Sequence, residues 1–134
     1  MDLMAIRRRL LMGDADLYPI GTDIVKKYIG KNENGQAYLT EGYWINGKGE
    51  YEARNGYGAS AVYMRINPNY RYRKGNRRLA PIAYYDSDFN WIRNDMINNT
   101  TIEDMPAPPS NAAYARFCTL QSPTLWNVVI TRIA

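Results

Sequence analysis

The sequence predicts a mainly β protein, an antiparallel jelly roll or β-sandwich with a short N-terminal helix. Three observations predict it. From residue 36 onward, short runs rich in β-formers alternate with turns bearing Gly, Asn or Pro, the spacing of sandwiches and barrels. Tyrosine is over-used, at 12 against 2 Phe and 3 Trp, and a large ring with a polar tip suits half-exposed sheet faces. Helical signals are confined to the segment before residue 30.

Taken in order, residues 2–12, "DLMAIRRRLLM", read as a helix that Asp2 caps and Gly13 ends. Leu3, Ile6 and Leu10 share one face, and Arg7, Arg8 and Arg9 fan around the rest. A helix of about eleven residues is marginal alone and needs a packing partner. A turn-rich connector follows, with a brief helix predicted at "DIVKKYI" and Thr22 or Asp23 as its cap. The expected division is therefore 1–35 as helix and linker, for anchoring or oligomerisation, and 36–134 as the β domain.

"QAYLTEGYWI" reads as a strand ending at the hairpin turn "NGKG". "EYEAR" leads into a second expected turn, "NGYG". "ASAVYMRI" alternates, with Val62, Met64 and Ile66 on one face and Ala61, Tyr63 and Arg65 on the other. "YRYRK" alternates Tyr with basic residues. "LAPIAYY" carries Pro81, which demands an edge or a bulge. "DSDFN" is turn-like, and "WI" resumes the strand. Residues 94–111 read as a long surface loop, and "AAYARFCTL" and "LWNVVITRI" as two closing strands.

The 134 residues fit one domain with a modest core, and 46% hydrophobic against 22% charged is a globular balance. The net charge of +4 is mildly basic and assists approach to anionic partners. The basic residues fall at Arg7, Arg8 and Arg9, at Lys26 and Lys27, and along 71–78, each read first as a solvated face. The single cysteine, Cys118, leaves no internal disulfide and reads as a buried apolar residue. The opening residues lack signal-peptide order, because their charges lie inside the apolar stretch. No apolar run approaches the ~20 residues that span a bilayer. Histidine is absent, which removes the usual general base and the commonest metal ligand. No phosphate-cradling loop opens a helix, and Cys118 has no partners for a zinc site. No enzyme activity, cofactor or metal is expected.

Two stretches carry candidate chemistry. In "YYDSDFNWIR", Asp86 and Asp88 stand two positions apart among aromatic rings. A calcium loop would continue with a third oxygen ligand, a glycine and a distant glutamate, whereas Phe89, Asn90 and Trp91 follow. A hairpin tip, with Asp and Ser bonding their own backbone, fits better. In this reading Ile82, Tyr84, Trp91 and Ile92 supply strand and core surface. "NYRYRKGNRR" interleaves aromatic and basic residues. It fits a strand with one half-exposed face, a sugar contact through Tyr70, Tyr72 and Arg73, or, third, single-stranded nucleic acid.

The order of several segments resembles a small lectin-like β-sandwich domain of phage tail, fibre and appendage proteins. They are "GYWINGKGEYEARNGYGAS", "ASAVYMRIN", "NPNYRYR", "PIAYYDSDFNWI" and "APPSNAAYARF", preceded by the helix "DLMAIRRRLLMG" and the linker-like "YPIGTDIVKKYI". The resemblance implies a virion component, a head- or tail-attached fibre or decoration protein made in the bacterial host cytoplasm. It implies other virion proteins as partners, homo-oligomers (trimers above all), and host or mucosal glycans as ligands. It supplies no ligand residues. Leu3, Ile6, Arg7, Arg8, Arg9 and Leu10 are the expected anchor, with no membrane and no nucleic acid among the expected partners. The alternative is a free-standing carbohydrate-binding adhesin, and a basic nucleic-acid-binding module ranks behind both.

Overall fold

The computed structural model describes residues 18–74, 79–95, 103–120 and 128–134. The expected N-terminal helix, with Leu3, Ile6, Arg7, Arg8, Arg9 and Leu10, lies outside the described residues. Within them the chain is mainly β, with antiparallel strand pairs throughout. One short helix precedes the strands, α1 (Ile24–Tyr28). The strands are β1 (Thr40–Ile45), β2 (Tyr51–Ala59), β3 (Met64–Arg65), β4 (Tyr72–Lys74), β5 (Leu79–Tyr85), β6 (Trp91–Asp95), β7 (Glu103–Asp104), β8 (Tyr114–Leu120) and β9 (Ile130–Arg132). The larger sheet runs β1-β2-β8-β5-β6, with β3 also paired to β8, and the smaller runs β7-β4-β9.

Asp23 caps α1, its carboxylate accepting from the Val25 amide at 3.0 Å and the Lys26 amide at 3.4 Å. The same carboxylate takes Lys31 Nζ at 2.6 Å and the Ile130 amide at 3.4 Å. α1 is thus tied to β9, and Ile24 and Val25 enter the core beside Tyr18, Tyr72 and Ile130. The stretch from residue 18, expected in a linker, packs with the strands.

Alternation sends each strand of the larger sheet to two environments. Ile82, Tyr84, Ala115 and Phe117 face a core shared with the smaller sheet and α1. Ala83, Tyr85 and Cys118 face a second cluster with Ile45 and Ala59. Burial pushes the Cys118 thiol up to about 11, which makes it the inert apolar residue its context predicts.

Several irregularities shape the larger sheet. Opposite the single Gly42 stand residues 54–57 of β2, three more than a regular ladder holds, because Glu41 pairs with Gly58 and Tyr43 with Ala53. The "NGYG" segment is therefore a wide interruption within one strand, not a turn between two. Further on, Ser60 keeps the ladder to β8: its amide donates to the Phe117 carbonyl at 2.9 Å, and its hydroxyl accepts from the Phe117 amide at 3.0 Å. Residues 61–63 then loop out before β3 resumes pairing on the same edge of β8. Within "ASAVYMRI" Ala59 ends β2 and only Met64 and Arg65 form a further strand, and Val62 is exposed while Met64 and Ile66 are buried. Pro81 sits where β5 changes register against β8, the bulge its missing amide requires. The 94–111 stretch is less loop-like than expected, since β6 runs to Asp95 and Met105 is buried beside β4.

Three turns share one geometry. In 32–36, 46–50 and 86–90 the first residue's amide donates to the fifth residue's carbonyl, and its own carbonyl accepts from the fourth amide. Its side-chain oxygen accepts from the third and fifth amides. Asn32, Asn46 and Asp86 hold the first position because a short side-chain acceptor can fold back on the turn. The fourth residue takes a positive φ: 76° at Gly35, 72° at Gly49 and 64° at Phe89. Glycine meets that demand freely, and phenylalanine does not.

Candidate functional site

On the second face of the larger sheet, Trp91 stands opposite Tyr85, and Tyr85 opposite Tyr114, across β6, β5 and β8. Opposed residues of an antiparallel pair point the same way, so the three rings form a row on one face. Arg65 stands opposite Tyr114 on β3, its guanidinium 5.5 Å from the ring centroid. The loop of 61–63 brings Tyr63 onto this row, edge-on to Tyr85 at 4.9 Å and to Tyr114 at 6.0 Å. The 86–90 turn then folds Phe89 back so that it stacks on Tyr114, with centroids 4.4 Å apart and planes 18° apart. Phe89 also meets Tyr63 edge-on at 4.9 Å. The ring is nevertheless 49% exposed, so the stack leaves much of it to solvent. Phe89, Tyr63 and Tyr114 form an aromatic shelf at the tip of the β5–β6 hairpin.

Beneath the row lies Arg116, which faces the same side of β8 as Tyr114. Its guanidinium donates to the Tyr85 hydroxyl at 2.9 and 3.2 Å and to the Gly49 carbonyl at 2.9 Å. It also lies 4.4–5.0 Å from the ring centroids of Tyr51, Tyr63 and Tyr85. Tyr85 donates its own hydrogen to the Gly49 carbonyl at 2.6 Å. Burial pushes the Tyr85 and Tyr51 hydroxyls above the ordinary tyrosine range, and Arg116 pulls both the other way. Tyr51 donates to the Ser60 carbonyl. These contacts make Arg116 a cationic post under the shelf, with its donors turned to protein acceptors.

The Gly49 carbonyl arrives because the β1–β2 hairpin folds across the face. β1 and β6 lie at opposite edges of the strand order, yet Asn94 on β6 donates to the Asn46 carbonyl at 2.9 Å. The Trp91 indole packs so closely on Gly49 that a Cβ there would lie 2.1 Å from its Cδ1.

The residues singled out in the sequence fall elsewhere. Tyr72 is 3% exposed. Its hydroxyl meets that of Tyr18 at 2.5 Å and accepts from the Asn67 amide at 3.1 Å. Arg73, one position on, points outward and pairs with Asp104 at 2.7 Å. Tyr70 is half-buried, edge-on to Tyr18, with the Arg132 guanidinium 3.4 Å from its ring centroid. Strand alternation sends Tyr72 and Arg73 to opposite faces of β4, and Tyr70, before the strand, packs toward Tyr18 as Tyr72 does: Tyr72 offers no ring face to a sugar, and a shared platform with Arg73 does not form. Asp86 serves its turn, and the amides of Asn90 and Asp88 hold its carboxyl below the usual range. Among the described residues, no group of three or more His, Cys, Asp or Glu is placed to hold a metal. Trp91 is also more exposed than a core residue, at 39%.

Sequence reasoning passed over Phe89, Tyr63, Tyr114 and Arg116. A signal for Phe89 is present: "NENGQ" and "NGKGE" open on Asn and have Gly as the fourth residue, and "DSDFN" opens on Asp and has Phe there. The chain matches no protein-family model, no curated protein and no solved structure.

Proposed function

We propose that the chain is a virion structural protein, a head- or tail-attached fibre or decoration protein. It displays a β-sandwich domain of jelly-roll type and adheres to host or mucosal glycans, without catalysis. The observation that carries the adhesive part is the aromatic shelf of Phe89, Tyr63 and Tyr114. Flat rings held by neighbouring rings and by an arginine beneath them bind with little ordering cost. The particle part rests on the order of the segments that resemble phage appendage domains, with an amphipathic segment ahead of them. In this reading residues 2–12 anchor the domain or bundle with symmetry mates. Display as a trimer would bring several weak sites to bear together, so avidity rather than single-site affinity would set adhesion.

Mass spectrometry of purified particles from the same genome tests this. The chain is expected at a copy number that is a multiple of the particle's symmetry. Deletion of residues 1–13 is expected to leave a folded domain that no longer joins particles. Absence from particles, with glycan retention by the free chain, would favour the free-standing adhesin, which the same shelf would serve. Unchanged incorporation after the deletion would remove the anchor.

A further inference from the structure

From the fourth position of the 86–90 turn, we infer that the solvent face of Phe89 is a binding platform for an uncharged pyranose, with Asp88 and Asn90 at its rim. It rests on the glycan-adhesion reading above and assigns the residues and ligand class.

Three turns of one geometry part ways at the fourth position. Gly35 and Gly49 take the left-handed position without strain, and Phe89 takes it at φ 64°. For a side chain with a Cβ that conformation is unfavourable. The two ring contacts to Tyr114 and Tyr63 offset the strain, so Phe89 and glycine serve the fold about equally. What glycine cannot supply is the half of the ring that faces water. A backbone outlier that lifts an aromatic face into solvent, already stacked from behind, is a pre-organised contact surface.

The ligand follows from what surrounds that face. The negative face of an aromatic ring attracts the polarised C–H groups on the apolar face of a pyranose. At its edge, the Asp88 carboxylate and the Asn90 side chain belong to the same exposed turn, where they can meet hydroxyls. The Asn90 amide nitrogen already donates to Asp86 at 3.3 Å, and its oxygen, on an exposed side chain, can accept from a hydroxyl. The Asp86 and Asp88 carboxylates on either side of Phe89 are balanced by the guanidiniums of Arg65 over Tyr114 and Arg116 beneath Tyr63, and Arg116 directs its donors to Gly49 and Tyr85. The shelf therefore has no excess of positive charge to draw phosphates or uronates, and a neutral sugar fits it better than nucleic acid or an acidic glycan.

The test titrates the full chain with methyl β-glucopyranoside, methyl β-galactopyranoside, methyl β-glucuronide and an oligothymidylate, observed by NMR of the aromatic side chains. At least one neutral pyranoside is expected to shift Phe89 and Tyr114 with weak, saturable binding. Phe89→Gly, which relieves the backbone, is expected to weaken that binding by about tenfold or more. Phe89→Tyr should keep it, and Gly35→Ala should leave it unchanged. Retained affinity in Phe89→Gly overturns the assignment, as does tighter binding of the glucuronide or oligothymidylate at the shelf. A neutral pyranoside that shifts other residues only would overturn the shelf and leave glycan adhesion standing. Silence from both pyranosides would overturn both.

Discussion

The turns at 46–50 and 86–90 have the same hydrogen bonds and opposite surroundings. In the first, the fourth residue is Gly49, pressed against the Trp91 indole and holding Arg116 and Tyr85 through its carbonyl. In the second, the fourth residue is Phe89, reaching outward from a position where its backbone is strained. The difference teaches that turn geometry is set by the Asx side chain at the first position, while the fourth position is free to record what the site needs. Buried, that need is the absence of a side chain. Exposed, it is an aromatic face.

The comparison can be broken most severely at Gly49. Gly49→Ala forces a methyl group into Trp91 and strains the backbone. We expect a loss of about 3 kcal/mol, the sum of overpacking and left-handed strain, read by chemical denaturation. Adding Trp91→Ala should recover the overpacking share. Gly35→Ala, where a Cβ meets nothing within 4 Å, should cost only about 1 kcal/mol. Equal losses at the two glycines would show that Trp91 yields freely.

Arg116→Met comes next. It removes the charged donor to Gly49 while Tyr85 still bonds that carbonyl. A loss of about 2 kcal/mol is expected, the scale of a charge-assisted hydrogen bond with desolvated cation–π contacts. An unchanged melting temperature would make the post dispensable.

Phe89→Gly should change stability by less than about 0.5 kcal/mol, because relief of strain and loss of stacking nearly cancel. A loss near that of Gly49→Ala would mean that the ring is structural after all.

The smallest effect is acid-dependent. The Asp86 carboxyl has a folded pKa below its unfolded value, so its contribution is complete above the unfolded value, about 4, and fades as pH falls through the folded one. Protection of the Asp88 and Asn90 amides, measured against the exchange rate of an unstructured peptide at the same pH, should therefore fall below about pH 4. The Asn46 turn should not respond, and Asp86→Asn should abolish the response while keeping the turn.

Local chemistry was legible in the sequence and long-range closure was not. The Asp23 cap, the "NGKG" and "DSDFN" turns, the Pro81 bulge and the buried Cys118 all follow from a residue and its neighbours. The Tyr72 platform failed because alternation tells which residues share a face, not which face is buried. "NGYG" misled because glycines permit a wide bulge as readily as a turn. Arg116 was hidden in an apolar run, since its partners Gly49 and Tyr85 come from distant strands. The shelf needed the register of β5 with both β6 and β8 before its rings could be placed in one row.

The tie between α1 and β9 has a consequence for synthesis. Asp23 waits for the Ile130 amide, 107 residues later, and the Tyr18 carbonyl waits for Arg132, 114 residues later. A growing chain cannot close that core until β9 has left the ribosome. The buried faces of Ile24, Val25 and Tyr72 must stay unsatisfied until then. Folding should accordingly be slow, governed by these distant closures rather than by the hairpins that form first.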